Sequence, residues 1–365
     1  MLKQNLHTDP SLASAWAPWF AHEYITYHTV RAIEGLMALS PVPVKANPRY
    51  GENQWPIGPR HIDIYKESYQ QHRQLDPFTA FDHKKRNGDF APDVPPGKTI
   101  EPWKLLVLYS TEADFYVDED LFLHKNQRMA GGSRGWRHMH FRMLGSTYGI
   151  APQSFRVHKD LATLCFENGD TYWGWRYLTR AGHYLADLGE PFHVKVMPGF
   201  FLLGNILDRS KLFRTVSTMH QSYELYVERR FREGFDAFGL ALQRGALEGR
   251  SSGLQIEGQL SGYIERARKR HNAIFYYLHD QFGPELMDAF WQMNESSQID
   301  AAIQNNKCFA DAAGVIFSEA NRARLDFLDR ITIEQMTDVG RMLGGLFTGF
   351  ALQEGGGKSA VPVGV

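Results

Sequence analysis

The sequence predicts an all-α protein, a single multi-helix domain with long loops. Two observations carry that prediction. Apolar residues recur with the helical period over most of the chain after residue 155. No series of segments alternates apolar and polar residues, so no sheet of any size is expected. The 365 residues are ample for one buried core, and the 13% aromatic content suits large side chains packed between helices.

The elements follow in order. Residues 21–39 read as an amphipathic helix, with His22, Ile25, Thr29, Ile33 and Leu36 on one stripe. Residues 41–60 are rich in Pro, Gly and Asn and read as loop, and 61–75 as a short helix. Residues 84–102, with Asn87-Gly88 and Pro95-Pro96-Gly97, form a long irregular connection. Trp103–Tyr109 is apolar and fits strand or helix. Residues 118–137 read as loop because of Gly131-Gly132-Ser133-Arg134-Gly135. Helical periodicity runs over 155–188, 210–245, Asn272–Trp291, Ile299–Arg330 and Ile333–Leu346. The domain spans 1–352, and residues 353–365, with Gly355-Gly356-Gly357, read as a disordered tail.

Composition excludes several function classes. The hydrophobic fraction is 43% and the charged fraction 22%, ordinary for a globular protein. A net charge of −1 gives no electrostatic case for a stable nucleic-acid partner. Cys165 and Cys308 are isolated, which removes a zinc ribbon or a thioredoxin-type site. No apolar run reaches the length of a membrane span. The first residues lack the apolar middle of a secretory signal, although Ala13-Ser14-Ala15 before Trp16 resembles a signal-peptidase site.

The chemistry is concentrated between Gly182 and Glu224. His183 and Asp187 are four residues apart, on one face of a helix and one turn from each other. Gly189 then breaks that helix, Glu190-Pro191 turns the chain, and His193 opens the next element. His220 and Glu224 repeat the spacing. Taken singly, each pair is an ordinary solvated ion pair. Two such pairs and a third histidine within 42 residues suggest a multinuclear, zinc-like metal site built between helices.

The run Gly182–His193 and the pair His220-x-x-x-Glu224 resemble the bacterial zinc-dependent phospholipases C, whose fold the fungal single-strand-specific nucleases share. The resemblance implies an all-α fold with two or three Zn2+ ions in a cleft. It implies that His183 and Asp187 hold the paired zincs, with Asp187 bridging, and that His193, His220 and Glu224 hold the remaining one. It takes Asp114, within Glu112-Ala113-Asp114, as a zinc ligand and the catalytic base. It takes a histidine from Arg137-His138-Met139-His140-Phe141; His140 is preferred because Phe141 follows it, with His138 the alternative. It takes a histidine soon after a tryptophan: His22 after Trp16, with His28 the second choice. The amine and carbonyl of Trp16 become ligands in a chain cleaved after Ala15, and His7 or Asp9 are substitutes in the uncleaved chain.

The expected activity is a metal-dependent phosphodiester hydrolase of the phospholipase C type, releasing a diacylglycerol-like alcohol and a phosphorylated headgroup. Glu224, and the lack of Asn-Leu before His220, favour this branch over a nuclease or nucleotidase of the same fold. A non-catalytic metal-binding homologue is the third reading. Met197–Leu203 reads as an ordinary core helix start or as an apolar rim for peripheral membrane contact. Members of the resembled family are mostly secreted or periplasmic.

Overall fold

A computed structural model describes residues 21–45, 98–115, 132–143, 145–205, 207–251, 255–291 and 314–355. Among these residues the protein is all-α, with two short antiparallel strand pairs. The first helix, α1, is Ala21–Arg31. It stops before the end of its predicted stripe because Gly35 takes a φ of 86° and starts a 3-10 turn, Leu36–Ala38. Strand β1 (Val42–Pro43) pairs with β2 (Thr99–Ile100). The ambiguous run after Pro102 is a helix, α2 (Pro102–Leu108), with proline in its first turn.

The expected loop over 118–137 needs correction at its end: Gly132–His138 is a helix, α3. A hairpin follows, β3 (Phe141–Met143) with β4 (Ser146–Tyr148). Trp136, Met139, Phe141 and Tyr148 pack as a small core of their own beneath it, which fixes where α3 ends.

The predicted helical stretch over 155–188 is two helices, α4 (Ala151–Glu167) and α5 (Thr171–Asp187). Gly169 turns the chain between them with a φ of 72°. Asp170 caps α5 by accepting from the Trp173 amide at 3.3 Å. Helix α5 is buried round almost its whole circumference, which marks it as the central helix. The short α6 (Pro191–Val194) and α7 (Gly199–Asn205) follow.

Next come α8 (Arg209–Arg232) and α9 (Asp236–Ser251), broken by Gly234 at a φ of 74°. Helix α10 (Ile256–Trp291) starts earlier than its periodicity suggests. The final helix α11 (Leu325–Gly355) is continuous across the expected break near Arg330 and runs into the segment read as tail. Residues 61–75, 299–313 and 356–365 lie outside the described residues.

One continuous apolar core runs through α1, α2, α4, α5, α6, α8, α9, α10 and α11. Glycines permit its closest contacts. Cβ atoms added at Gly340 or Gly344 would collide with the backbone of Leu242 or Ala246, so α9 and α11 meet backbone to backbone. A Cβ added at Gly182 would lie 2.9 Å from the Phe347 ring, so α11 closes directly behind the last turn of α5. No helix among the described residues is long and apolar enough to cross a membrane.

Candidate metal centre

The last turn of α5 presents His183 and Asp187 to one place, as their spacing dictates. Both are buried, Asp187 to 1% exposure. His138, the last residue of α3, brings its Nδ1 to 2.7 Å from Asp187 Oδ2 and 3.0 Å from His183 Nε2. Asp114 Oδ1 lies 3.6 Å from His183 Nε2 and 3.8 Å from His138 Nδ1. From α1, His22 stacks on the His183 ring with centroids 4.0 Å apart and places Nε2 3.4 Å from the other Asp187 oxygen, Oδ1.

A second group lies beyond Asp187. Helix α6 supplies His193, whose Nδ1 is 3.1 Å from Asp187 Oδ1. Helix α8 supplies His220 and Glu224. Glu224 Oε1 is 3.2 Å from His193 Nε2 and 3.1 Å from His220 Nε2. His193 therefore joins the two groups through its two ring nitrogens.

The separations match those of ligands around an ion. Two ligands at about 2.0–2.1 Å from a tetrahedral zinc stand about 3.3–3.4 Å apart. The atoms above converge at 2.7–3.8 Å. Asp187 Oδ1 and His193 Nδ1 sit 3.1 Å apart without hydrogen-bond geometry. Buried imidazole and carboxylate atoms gathered this closely form groups that could hold a metal ion. His183 Nδ1 donates to Ser110 O at 2.6 Å, which leaves Nε2 as the lone-pair nitrogen facing the carboxylates.

The charges reinforce one another. Burial works against an ionised Asp187, but the His183, His193 and His138 imidazoles hold it well below the usual carboxylate range. Burial opposes the imidazolium of His183, but Asp187 and Asp114 push it up to about 9. His193 is likewise raised well above the usual value: Asp187 and Glu224 outweigh its burial. Burial pushes Glu224 up, yet His220 and His193 bring it down to about 2. His22 is lowered by burial and by neighbouring His183. Without a metal the cluster stores protons on His183 and His193, and those protons must leave before the imidazoles can ligate.

The structure brings together His22, Asp114, His183, Asp187, His193, His220 and Glu224. Of the two histidines after Arg137, it brings the alternative, His138, into this cluster and not the preferred His140. His138 ends α3 inside the cluster. His140 lies beyond it: its amide donates to His193 O at 2.7 Å and its carbonyl accepts from Arg268 at 2.9 Å. Burial and the Arg268 charge push the His140 imidazole down to about 4. The second choice for the first helix, His28, lies against Gly239 and Gln243, away from these carboxylates. Trp16 lies outside the described residues.

The residue that sequence reasoning missed is Glu190, whose carboxylate forms a group with His193 and His220. Its position before Pro191 was a signal: a carboxylate before a proline-started helix caps it. Gly189 is also explained differently. Its φ is not positive, and helix α5 ends at Leu188 in the right-handed region. Glycine is required because a Cβ there would fall on Tyr263 Oη and Val339. Comparison with protein-family models, with curated proteins and with solved structures finds no match for this chain.

Proposed function

We propose that the protein is a zinc-dependent phosphodiester hydrolase of the phospholipase C type, acting on a phospholipid or a related phosphodiester. One observation carries the reading: nine buried or half-buried imidazole and carboxylate side chains converge at ligand spacing, with Asp187 between two groups. His138, His183, Asp114 and Asp187 would hold one ion, His22 and Asp187 a second, and His193, His220 and Glu224 a third. Zinc bound in such a site neutralises phosphodiester charge and acidifies water.

The residues divide the remaining work by exposure. Asp187 is enclosed, while Asp114 and Glu224 keep 14% and 16% of their side chains open to solvent. The open edge is where a substrate enters, so Asp114 is the carboxylate placed to orient the attacking water and take its proton. The water oxygen then joins phosphorus, the phosphorus–oxygen bond to the alcohol breaks, and the proton ends on the departing alkoxide.

The lipid preference rests on α7. None of its residues is buried, and Phe200 is 87% exposed. Met197 and Phe201 pack against the core, while Phe200, Leu203 at 68% and Leu207 at 99% face outward, which supports an apolar rim on the segment leaving His193. The deciding assay measures zinc content by elemental analysis and headgroup release from phosphatidylcholine vesicles, before and after chelation. Single-stranded DNA runs as a parallel substrate. A folded, metal-free protein with no chelator-sensitive hydrolysis sinks the reading; DNA cleavage without lipid cleavage moves it to the nuclease branch.

A further inference from the structure

We propose that Glu190 is a fourth metal ligand in the group formed by His193, His220 and Glu224, giving that ion two carboxylates instead of one. The inference rests on the metal-centre reading above and adds a residue to it.

Glu190 is 2% exposed. One oxygen, Oε2, accepts from the His193 amide at 2.6 Å and so caps α6. The same oxygen lies 4.0 Å from His193 Nε2 and 3.9 Å from His220 Nε2. The three side chains form one group that could hold an ion, and because ligands of a tetrahedral ion stand about 3.3–3.4 Å apart, they draw in by about half an ångström when it binds. The other oxygen, Oε1, is buried without a hydrogen-bond partner among the described residues.

A helix cap requires one acceptor atom, not an ionised group. An anion enclosed here with an unused oxygen is costly unless a cation compensates it. His193 and His220 must be neutral to ligate, so they cannot supply that charge in the loaded protein. Glu190 and Glu224 together bring two negative charges to the group, which one divalent ion balances. Capping and ligation are compatible, since the His193 amide occupies one lone pair of Oε2, leaving the second lone pair of that oxygen and the unpartnered Oε1 for an ion.

The test uses the full chain, stripped of metal and titrated with Zn2+ against a chromophoric chelator. Glu190→Gln keeps an acceptor for the His193 amide and removes the charge. Glu224→Gln identifies which ion is being weakened. The expected result is that Glu190→Gln weakens the same ion as Glu224→Gln, by roughly a hundredfold, while the melting temperature of the metal-free protein is unchanged or higher. Substituted Co2+ should show a changed absorption envelope in Glu190→Gln, because its coordination changes. If Glu190→Gln binds like wild type, and only Glu190→Ala lowers the metal-free melting temperature, Glu190 is a cap and the inference is overturned. If wild type binds no zinc, the metal-centre reading itself fails, a result separable from the first.

Discussion

Asp187→Asn is the sharpest test of the centre. The substitution keeps the shape of a side chain that is 1% exposed and removes only its charge. Structural zinc sites of four ligands bind with about 10–16 kcal/mol, or about 3 kcal/mol per ligand, which is roughly a hundredfold in Kd. Asp187 Oδ2 lies 3.2 Å from His183 Nε2, and Oδ1 lies 3.4 Å from His22 Nε2. In the proposed assignment the two oxygens face different ions, so the asparagine variant should weaken both ions by that factor each. The ion at His193, His220 and Glu224 should remain, while Glu224→Gln should show the converse. Elemental analysis after dialysis against buffered zinc reads both outcomes. Retention of full metal content in Asp187→Asn, or loss of one ion only, would refute the claim that this carboxylate is shared.

Other expectations are as direct. His138→Ala should remove an ion and activity, whereas His140→Ala should leave metal content unchanged; elemental analysis of the two variants decides it. Gly189→Ala should destabilise the fold by about 1–3 kcal/mol through overpacking, because the new methyl displaces Tyr263 Oη from its 3.0 Å bond to Leu185 O; denaturant unfolding measures it. Because His183 is raised to about 9, metal-free protein at pH 7.5 carries its proton, and zinc must release it. That protonated group stabilises the metal-free fold fully below its unfolded value of 6.5 and progressively less as pH rises through about 9. Calorimetric zinc titration in buffers of different ionisation enthalpy should therefore show proton release, and the metal-free melting temperature should fall over that pH window. Phe200→Ser with Leu203→Ser should slow hydrolysis of vesicles while sparing a soluble p-nitrophenyl phosphodiester; equal loss on both substrates would remove the rim from the account.

The parts of the centre legible in the sequence are those whose geometry is local. His183 with Asp187, and His220 with Glu224, each lie on one helix, so spacing alone puts them on one face. The helical class was legible for the same reason. The histidine after Arg137 was not, because the end of α3 decides it. That end depends on Trp136, Met139, Phe141 and Tyr148 packing together, a tertiary event invisible to spacing. The loop reading of 118–137 failed at Gly132–His138 because two early glycines outweighed the residues that follow them. Glu190 looked like a turn residue, and its second oxygen acquires meaning only when α6 and α8 meet. Gly189 was noticed for the wrong reason: the obstacle is Tyr263 of α10, far away in the chain.

The packing of α11 behind α5 has a consequence for biosynthesis. Every residue of the centre in the described structure lies between His22 and Glu224. Yet the turn bearing His183 is backed by Phe347 and Leu343 at Gly182, and Gly189 is backed by Tyr263 and Val339. A ribosome has therefore released the whole ligand set well before the wall that holds it. Until α10 and α11 emerge, the histidines and carboxylates ride on a chain without its rear support, free to take protons or stray metals in other geometries. On the proposed reading, metal loading would be deferred to the end of synthesis, and a chain cut short after Glu224 would keep every proposed ligand and still lack the wall behind them.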